Sequence, residues 1–225
     1  MTKATGGSRK LDPESLVDSA LSIAGDEGLE ALTIRRLAQH HQVTPMALYR
    51  HFKDKDQLLD ALAARLLSRV EIPPTGDEPW YEKVRSLFRA ILDALRPHPE
   101  IAVLTFRRFL TSEPGLVLSE RALGFLEEGG FEVDLAAQYG IQAVCALVNL
   151  VATEPGMDDQ HLDPEVQEDV LRAKRARLAA LNPRRYPHVI AGAEALTCVF
   201  DRDGYYDKGL ELIVAGLRGV AQARS

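Results

Sequence analysis

TIRRLAQHHQVTPMALYRHFKDK, residues 33 to 55, reads as two short helices joined by a turn too tight for any other element. Thr33 caps the first, because its hydroxyl can accept from the orphan N–H groups of the opening turn. Ile34, Leu37 and Ala38 recur at i, i+3 and i+4, which places one apolar stripe on a helix ending near His41. Gln42 and Val43 make the turn. Thr44 caps again, and Pro45 takes the first helical position, where its missing N–H costs nothing. Ala47, Leu48 and Phe52 then face inward over about two turns. Asp54 caps a third helix, with Gln57 three residues on able to answer it as in a capping box.

The outer face of the second helix carries the chemistry. Pro45, Met46, Tyr49, Arg50 and His51 lie outside the apolar stripe, and Lys53 and Lys55 follow at once. A helix this narrow fits the major groove of DNA, with side chains that donate to phosphates and base edges. A small helical hairpin with Tyr, Arg and His as ordinary surface is the other reading of the same residues.

The run from Leu32 to Leu62 resembles the DNA-binding domain of the tetracycline-repressor family of bacterial regulators. The shared parts are Leu32 and Thr33, then Leu48, Tyr49, His51 and Phe52, then Lys55, Leu58 and Leu59. The likeness covers about residues 12 to 62. It implies an all-α protein that binds a palindromic DNA operator as a homodimer and is released by a small-molecule effector. It also implies roles: Thr33, Arg35, Thr44, Tyr49, His51 and Lys55 match the phosphate-positioning residues, and Pro45, Met46, Ala47 and Arg50 are placed for base edges. One position departs from the pattern. The family commonly carries Gly in the turn, where this chain has Gln42, and a left-handed backbone there strains a residue with a Cβ.

The chain has 225 residues, 46% of them hydrophobic, enough for one small and one larger domain. No apolar run approaches the span a membrane helix needs, and the N-terminus lacks a signal-peptide core, so a cytoplasmic protein with no membrane partner is expected. Cys145 and Cys198 are the only cysteines and fit reduced thiols better than a disulfide framework. The net charge of −6 argues against nucleic acid until its distribution is read. Residues 1 to 70 hold 10 Lys and Arg against 9 Asp and Glu, and the rest hold 17 against 24. A neutral-to-basic head on an acidic body can still bind DNA through a local basic face.

In chain order, residues 1–11 read as a flexible basic arm with Lys3, Arg9 and Lys10, or equally as an untethered terminus. Asp12 and Pro13 start a helix whose Leu16, Val17, Ala20, Leu21 and Ala24 complete a three-helix core for the DNA-binding head at 12–62. The helix from Lys55 to about Val70 outlasts that head, so one rigid rod serves two domains. Residues 72–77, rich in Pro and Gly, are the one clear linker. Helices are expected at about 79–95, 100–110, 116–128, 134–153, 163–181, 187–199 and 203–223, with breaks at RPHP, at Glu113-Pro114-Gly115 and at Gly129-Gly130. Residues 63–225 thus form a larger helical body.

LGFLEEGGF (123–131) and the C-terminal DGYYDKGLELIVAGLRGV also resemble the tetracycline-repressor subfamily, faintly so between 156 and 200. In that subfamily a long helix and the last helix build a four-helix dimer seam, for which Leu210, Ile213, Val214 and Leu217 offer a stripe flanked by Gly209 and Gly216. The same stripe suits a monomer's own core. Along 134–153, Gln138, Gln142, Cys145 and Asn149 form a polar stripe on an apolar helix, facing either a ligand or the dimer mate. Buried polar groups need partners, so with Leu87, Ile91, Thr105, Arg108 and Phe109 the glutamines are candidates for an effector pocket. The resemblance also argues against a magnesium–tetracycline complex. The positions that should chelate or hold it carry Glu71, Leu87, Thr105 and Ala122, none of them His or Asn.

Gly-x-Ser-x-Gly, Gly-x-x-x-x-Gly-Lys and His-Glu-x-x-His are all missing, and no cofactor, metal site or catalytic residue is expected. The second reading is a helical protein-binding adaptor that kept the fold and lost operator binding. Tyr49, Arg50, His51 and Lys55 tell against it.

Overall fold

Asp12 accepts from the Ser15 N–H at 3.0 Å and Pro13 follows it, so α1 (Pro13–Glu27) starts where cap and proline agree. The computed structural model describes residues 12–155, 162–198 and 201–224, and every regular element among them is helical. The basic arm at 1–11 lies outside the described residues. After α1 come α2 (Ile34–His40), α3 (Pro45–Leu48), α4 (Lys55–Ser68), α5 (Trp80–Leu95) and α6 (Pro99–Arg108). A single 3₁₀ turn, Phe109–Thr111, leads to α7 (Glu113–Glu128), α8 (Val133–Ala152), α9 (Pro164–Ala179), α10 (Pro187–Ala191), α11 (Ala193–Thr197) and α12 (Arg202–Gln222).

Two expected boundaries moved. Glu113-Pro114-Gly115 is the first turn of α7 and not a break, because Ser112 accepts from the Gly115 N–H and Pro114 sits where no intrahelical donor is needed. The helix expected at 187–199 is two short ones divided at Gly192. With α9 these form a group that packs mainly on itself.

Two apolar cores share α4. Leu58, Leu62 and Leu66 join Leu16, Leu37 and Leu48 in the head. Leu67 and Val70 join the body, whose core runs through α5, α7, α8 and α12. The head's core does not end at residue 62: Leu66 and Ile101, from α6, are both fully buried in it. Arg65 grips Asp18 of α1 through two hydrogen bonds of 2.9 and 3.0 Å, and Arg69 adds a third at 2.8 Å. These guanidinium contacts, Arg65 foremost, hold the Asp18 carboxyl below its ordinary range. The groups are partly solvated, so they orient α1 on α4 more than they stabilise it.

α8 has the length and composition of a membrane span, contrary to the expectation of no such run. Its inner side packs against α5, α6, α7 and α12, with Ala136, Ala143, Leu147, Val148 and Val151 in the body core, which accounts for about a third of the apolar span, 33% of which is buried.

α12 corrects a second expectation. Leu210, Val214 and Leu217 face the chain's own core, and Ile213 is half-buried beside them. Leu210, Val214 and Leu217 are thus used by the chain's own core, while Ile213 keeps part of its surface outside. Gly209 likewise meets Leu150 of α8, within the chain. What α12 leaves outside is Leu212, 75% exposed, with Ala215, Gly216 and Gly219 along the same side.

Where α8 ends, Glu154 is buried and accepts from the Tyr206 hydroxyl at 2.7 Å and from Arg202 at 2.9 Å. Burial, then the neighbouring Glu154 carboxylate, pushes the Tyr206 phenol up to about 12. The folded chain therefore keeps this proton where the unfolded chain, near the ordinary 10.0, loses it. The stabilisation is complete below the unfolded value and declines as pH rises toward the folded one. Tyr206→Phe should cost roughly 1–3 kcal/mol near neutrality, since Glu154 loses a donor. Thermal unfolding of both proteins at neutral and alkaline pH checks this: the gap between them should narrow as the tyrosine of the parent ionises.

Candidate DNA-contact surface and internal cavity

The helix-turn-helix is built from local bonds. Thr33 accepts from the Arg36 N–H at 3.0 Å and starts α2. Gln42 takes the left-handed conformation, φ 57°, that the turn requires, and the Val43 N–H then returns to the Ala38 carbonyl at 3.0 Å. Gln in place of Gly therefore strains the turn without changing it. Thr44 stands at the N-cap of α3 but makes no side-chain cap bond. α3 itself is shorter than expected. Its turn continues because the His51 and Phe52 N–H groups both donate to the Leu48 carbonyl, at 2.8 and 2.9 Å.

Leu48 and Phe52 anchor this turn in the head's core, which forces its other side outward. Met46 is 70% and Tyr49 49% exposed. Thr33, Arg35, Thr44, Pro45, Arg50 and His51 are exposed with them, while Ala47 and Lys55 are half-covered. Lys55 Nζ donates to the Leu29 carbonyl at 3.4 Å, a long bond that leaves the cation at the surface. Arg36 differs from Arg35, because it is paired with Glu27 of α1, whose carboxyl it holds down. Residues 31 to 53 contain no Asp or Glu, in a chain with 33 of them. The face is positive where it would meet phosphate.

A cavity of about 490 Å³ lies among α5, α6, the 3₁₀ turn, α7 and α8. Phe88, Phe106 and Phe109 supply aromatic walls, and Ile91 and Leu118 close the inner side. Small residues, Ala122 and Gly140, make the room. Among the described residues Arg107 and Ser119 are the two hydrophilic ones on its lining.

Of the seven residues expected there from sequence, Ile91 and Phe109 stand on the wall. The other five stand elsewhere. Leu87 is fully buried in the core, and Thr105, also fully buried, satisfies itself by donating to the Ala102 carbonyl at 2.6 Å. Arg108 turns from the cavity to pair with Asp60 of α4. Gln138 and Gln142 are exposed on the outer side of α8, while Ala137, Ile141 and Val144 of the same helix line the cavity. Phe106, Arg107 and Ser119 escaped the sequence reading. An apolar residue on an apolar helix carries no local sign of facing a void.

An exposed, acid-free recognition helix on an all-helical body with an apolar cavity defines a helix-turn-helix DNA-binding regulator. The family model for bacterial regulatory proteins of the tetR family matches residues 16–62, and the model for the tetracyclin repressor-like C-terminal domain matches residues 72–221. The chain belongs to the tetR family of transcriptional regulators. It is 30% identical over 213 residues to the class C tetracycline repressor protein of Escherichia coli, covering 92% of this chain and 91% of that one. The structure of the Streptomyces coelicolor tetR-family protein ActR in complex with actinorhodin superposes with a TM-score of 0.76 at 28% identity, covering 94% of this chain and 98% of that one. A possible tetR-family regulator from Streptomyces coelicolor A3(2) gives 0.76 at 32% identity, over 93% and 100%.

Proposed function

We propose that the chain is a cytoplasmic repressor that acts by binding and not by catalysis. Two copies grip a palindromic operator, and a small molecule in the cavity releases them. Residues 12–62 serve as the DNA-binding head and 63–225 as the effector and dimer body. The observation that carries this reading is the pair Arg108–Asp60. It ties the end of α6, beside the cavity, to the rod that carries the head. The neighbouring residues Arg107 and Phe109 line the cavity. A molecule that displaces this turn therefore moves α4. The likeness to tetracycline repressors, and to ActR, whose structure holds actinorhodin, supports a small-molecule effector for this chain. Among the described residues no His or Asn lines the cavity to hold a magnesium–drug complex, which speaks against tetracycline itself.

Two heads on one duplex reach successive major grooves when about 34–36 Å apart, or a multiple of it. Tilting α4 spoils that distance. To move the population from 1:99 to 99:1, the effector has to prefer the released state by about 10⁴-fold, ~5.5 kcal/mol. By reciprocity operator DNA weakens effector binding by the same factor.

The head is tested by gel shift with DNA flanking the gene that encodes the protein. Arg50→Ala should cost roughly 1–3 kcal/mol and relax specificity at one base pair, as expected of a side chain on a base edge. Lys55→Ala should weaken every sequence alike and flatten the salt dependence. If Arg50→Ala also lost affinity uniformly over a panel of operator variants, Arg50 would be a phosphate contact. No shift with the parent protein would favour the adaptor reading.

A further inference from the structure

We propose that the cavity takes a fused-ring aromatic anion, an aromatic acid in its ionised form, with Arg107 as the residue that reads its charge. The inference rests on the reading of the cavity as the effector site and names the ligand's chemistry.

Three observations converge. The walls are aromatic on several sides, with Phe88 from α5, Phe106 from α6 and Phe109 from the 3₁₀ turn, which suits flat rings stacked or set edge-on. A space of about 490 Å³ holds a molecule of several rings and lies within the range of small-molecule sites. The polar lining is one-sided. Among the described residues Arg107 is the one ionisable side chain on it, and no Asp, Glu or His accompanies it. A cationic ligand would find a like charge there and nothing to neutralise it. An anion finds a guanidinium able to donate two parallel bonds to a carboxylate.

The position of Arg107 fits that duty. Its neighbour Arg108 is committed to Asp60, so the two arginines divide the work: one holds α4, the other faces the cavity. Arg107 is exposed, as are Leu110 and Ile141, which also line the cavity, so these residues mark its mouth. The acid group therefore sits at the opening and the rings go in first. Deeper in, Ser119 spends its proton on the Gly115 carbonyl at 2.9 Å, which leaves its oxygen lone pairs as an acceptor for a ligand hydroxyl.

The test uses a matched set of three probes, anthracene-2-carboxylate, anthracene-2-carboxamide and 2-(aminomethyl)anthracene, titrated by calorimetry into the full chain. The carboxylate should bind about tenfold more tightly than the isosteric carboxamide, and the amine should be weakest. The margin should shrink as salt is raised, because Arg107 is solvated. Arg107→Met should abolish the margin, bringing the carboxylate down to about the affinity of the carboxamide. Ala137→Trp, at an exposed position on the cavity wall, and Ala122→Phe, inside it, should weaken all three probes.

Equal affinity for the three, or an Arg107→Met variant that keeps the carboxylate preference, overturns the assignment of an anion. So does the absence of saturable binding by any of them. Binding indifferent to both Ala137→Trp and Ala122→Phe places the ligand outside the cavity and overturns the site itself. Release of operator DNA in a gel shift is scored separately. Carboxylate binding without release leaves the ligand class standing and removes the effector role.

Discussion

Leu217→Glu should leave no stably folded protein, whereas Leu212→Glu should leave a folded chain that no longer pairs. The two leucines stand five residues apart on α12 and face opposite ways. Leu217 is 5% exposed within the body core, and a carboxylate there has no partner to receive it. A buried unpaired charge belongs to the small class of substitutions that cost more than ~4 kcal/mol, a large part of the stability of most domains. Leu212 is 75% exposed, and added Cβ atoms at Gly216 and Gly219 on the same side would meet nothing within 4 Å. An outward leucine above small residues suits a seam in which two helices approach closely. In a two-fold seam each residue near the axis meets its own copy, so Glu at 212 sets like charges together. Circular dichroism with sedimentation separates the two outcomes. A Leu212→Glu protein that sediments as a dimer moves the seam away from this side of α12. A Leu217→Glu protein that melts like the parent contradicts the place of α12 in the core.

The second large effect is a contrast of sign on α7. A Cβ at Gly115 would stand 1.9 Å from the Phe109 carbonyl oxygen and 2.7 Å from its carbon, both backbone atoms with little room to yield. At Gly124, on the same helix, it would meet nothing within 4 Å. Gly124→Ala should therefore stabilise by about 0.5–1 kcal/mol through helix propensity alone. Gly115→Ala should destabilise by roughly 1–3 kcal/mol or more, because the 3₁₀ turn has to move off the helix. That turn carries Phe109 of the cavity and directly follows Arg108, so a displaced turn should also weaken cavity ligands. Thermal melts of the two variants beside the parent read the sign directly. An unchanged melt for Gly115→Ala would mean that the turn stands clear of α7.

The head was legible in the sequence because its geometry is written in neighbours. Thr33, Pro45 and Asp54 mark starts within one turn, and Leu48 with Phe52 fixes which side of α3 is inner. The cavity was not, since each of its walls depends on how separate helices rotate against one another. On α6 the polar residues Thr105 and Arg108 drew the eye, and the cavity faces the adjoining Phe106 and Arg107. Thr105 needs no ligand because its own helix supplies the acceptor. On α8, Gln138, Gln142 and Asn149 are exposed on the chain's outer surface, and none of them is on the cavity wall. The α12 stripe was correctly periodic, but periodicity tells that a face is covered and not by whom. The core of the same chain covers it.

Because Leu66 and Ile101 complete the head's core, the DNA-reading module is not a portable cassette. A chimera cut at residue 62 would carry away the recognition helix and abandon part of the floor on which it rests. Exchange of operator specificity between related regulators is therefore easiest by repainting the outer side of α3 and the turn after it, where Met46 and Arg50 are exposed and stand outside both cores. Grafting the whole head asks for α4 and the start of α6 to travel with it. The seam between what recognises and what responds runs through the middle of a helix, and recombination has no clean place to cut.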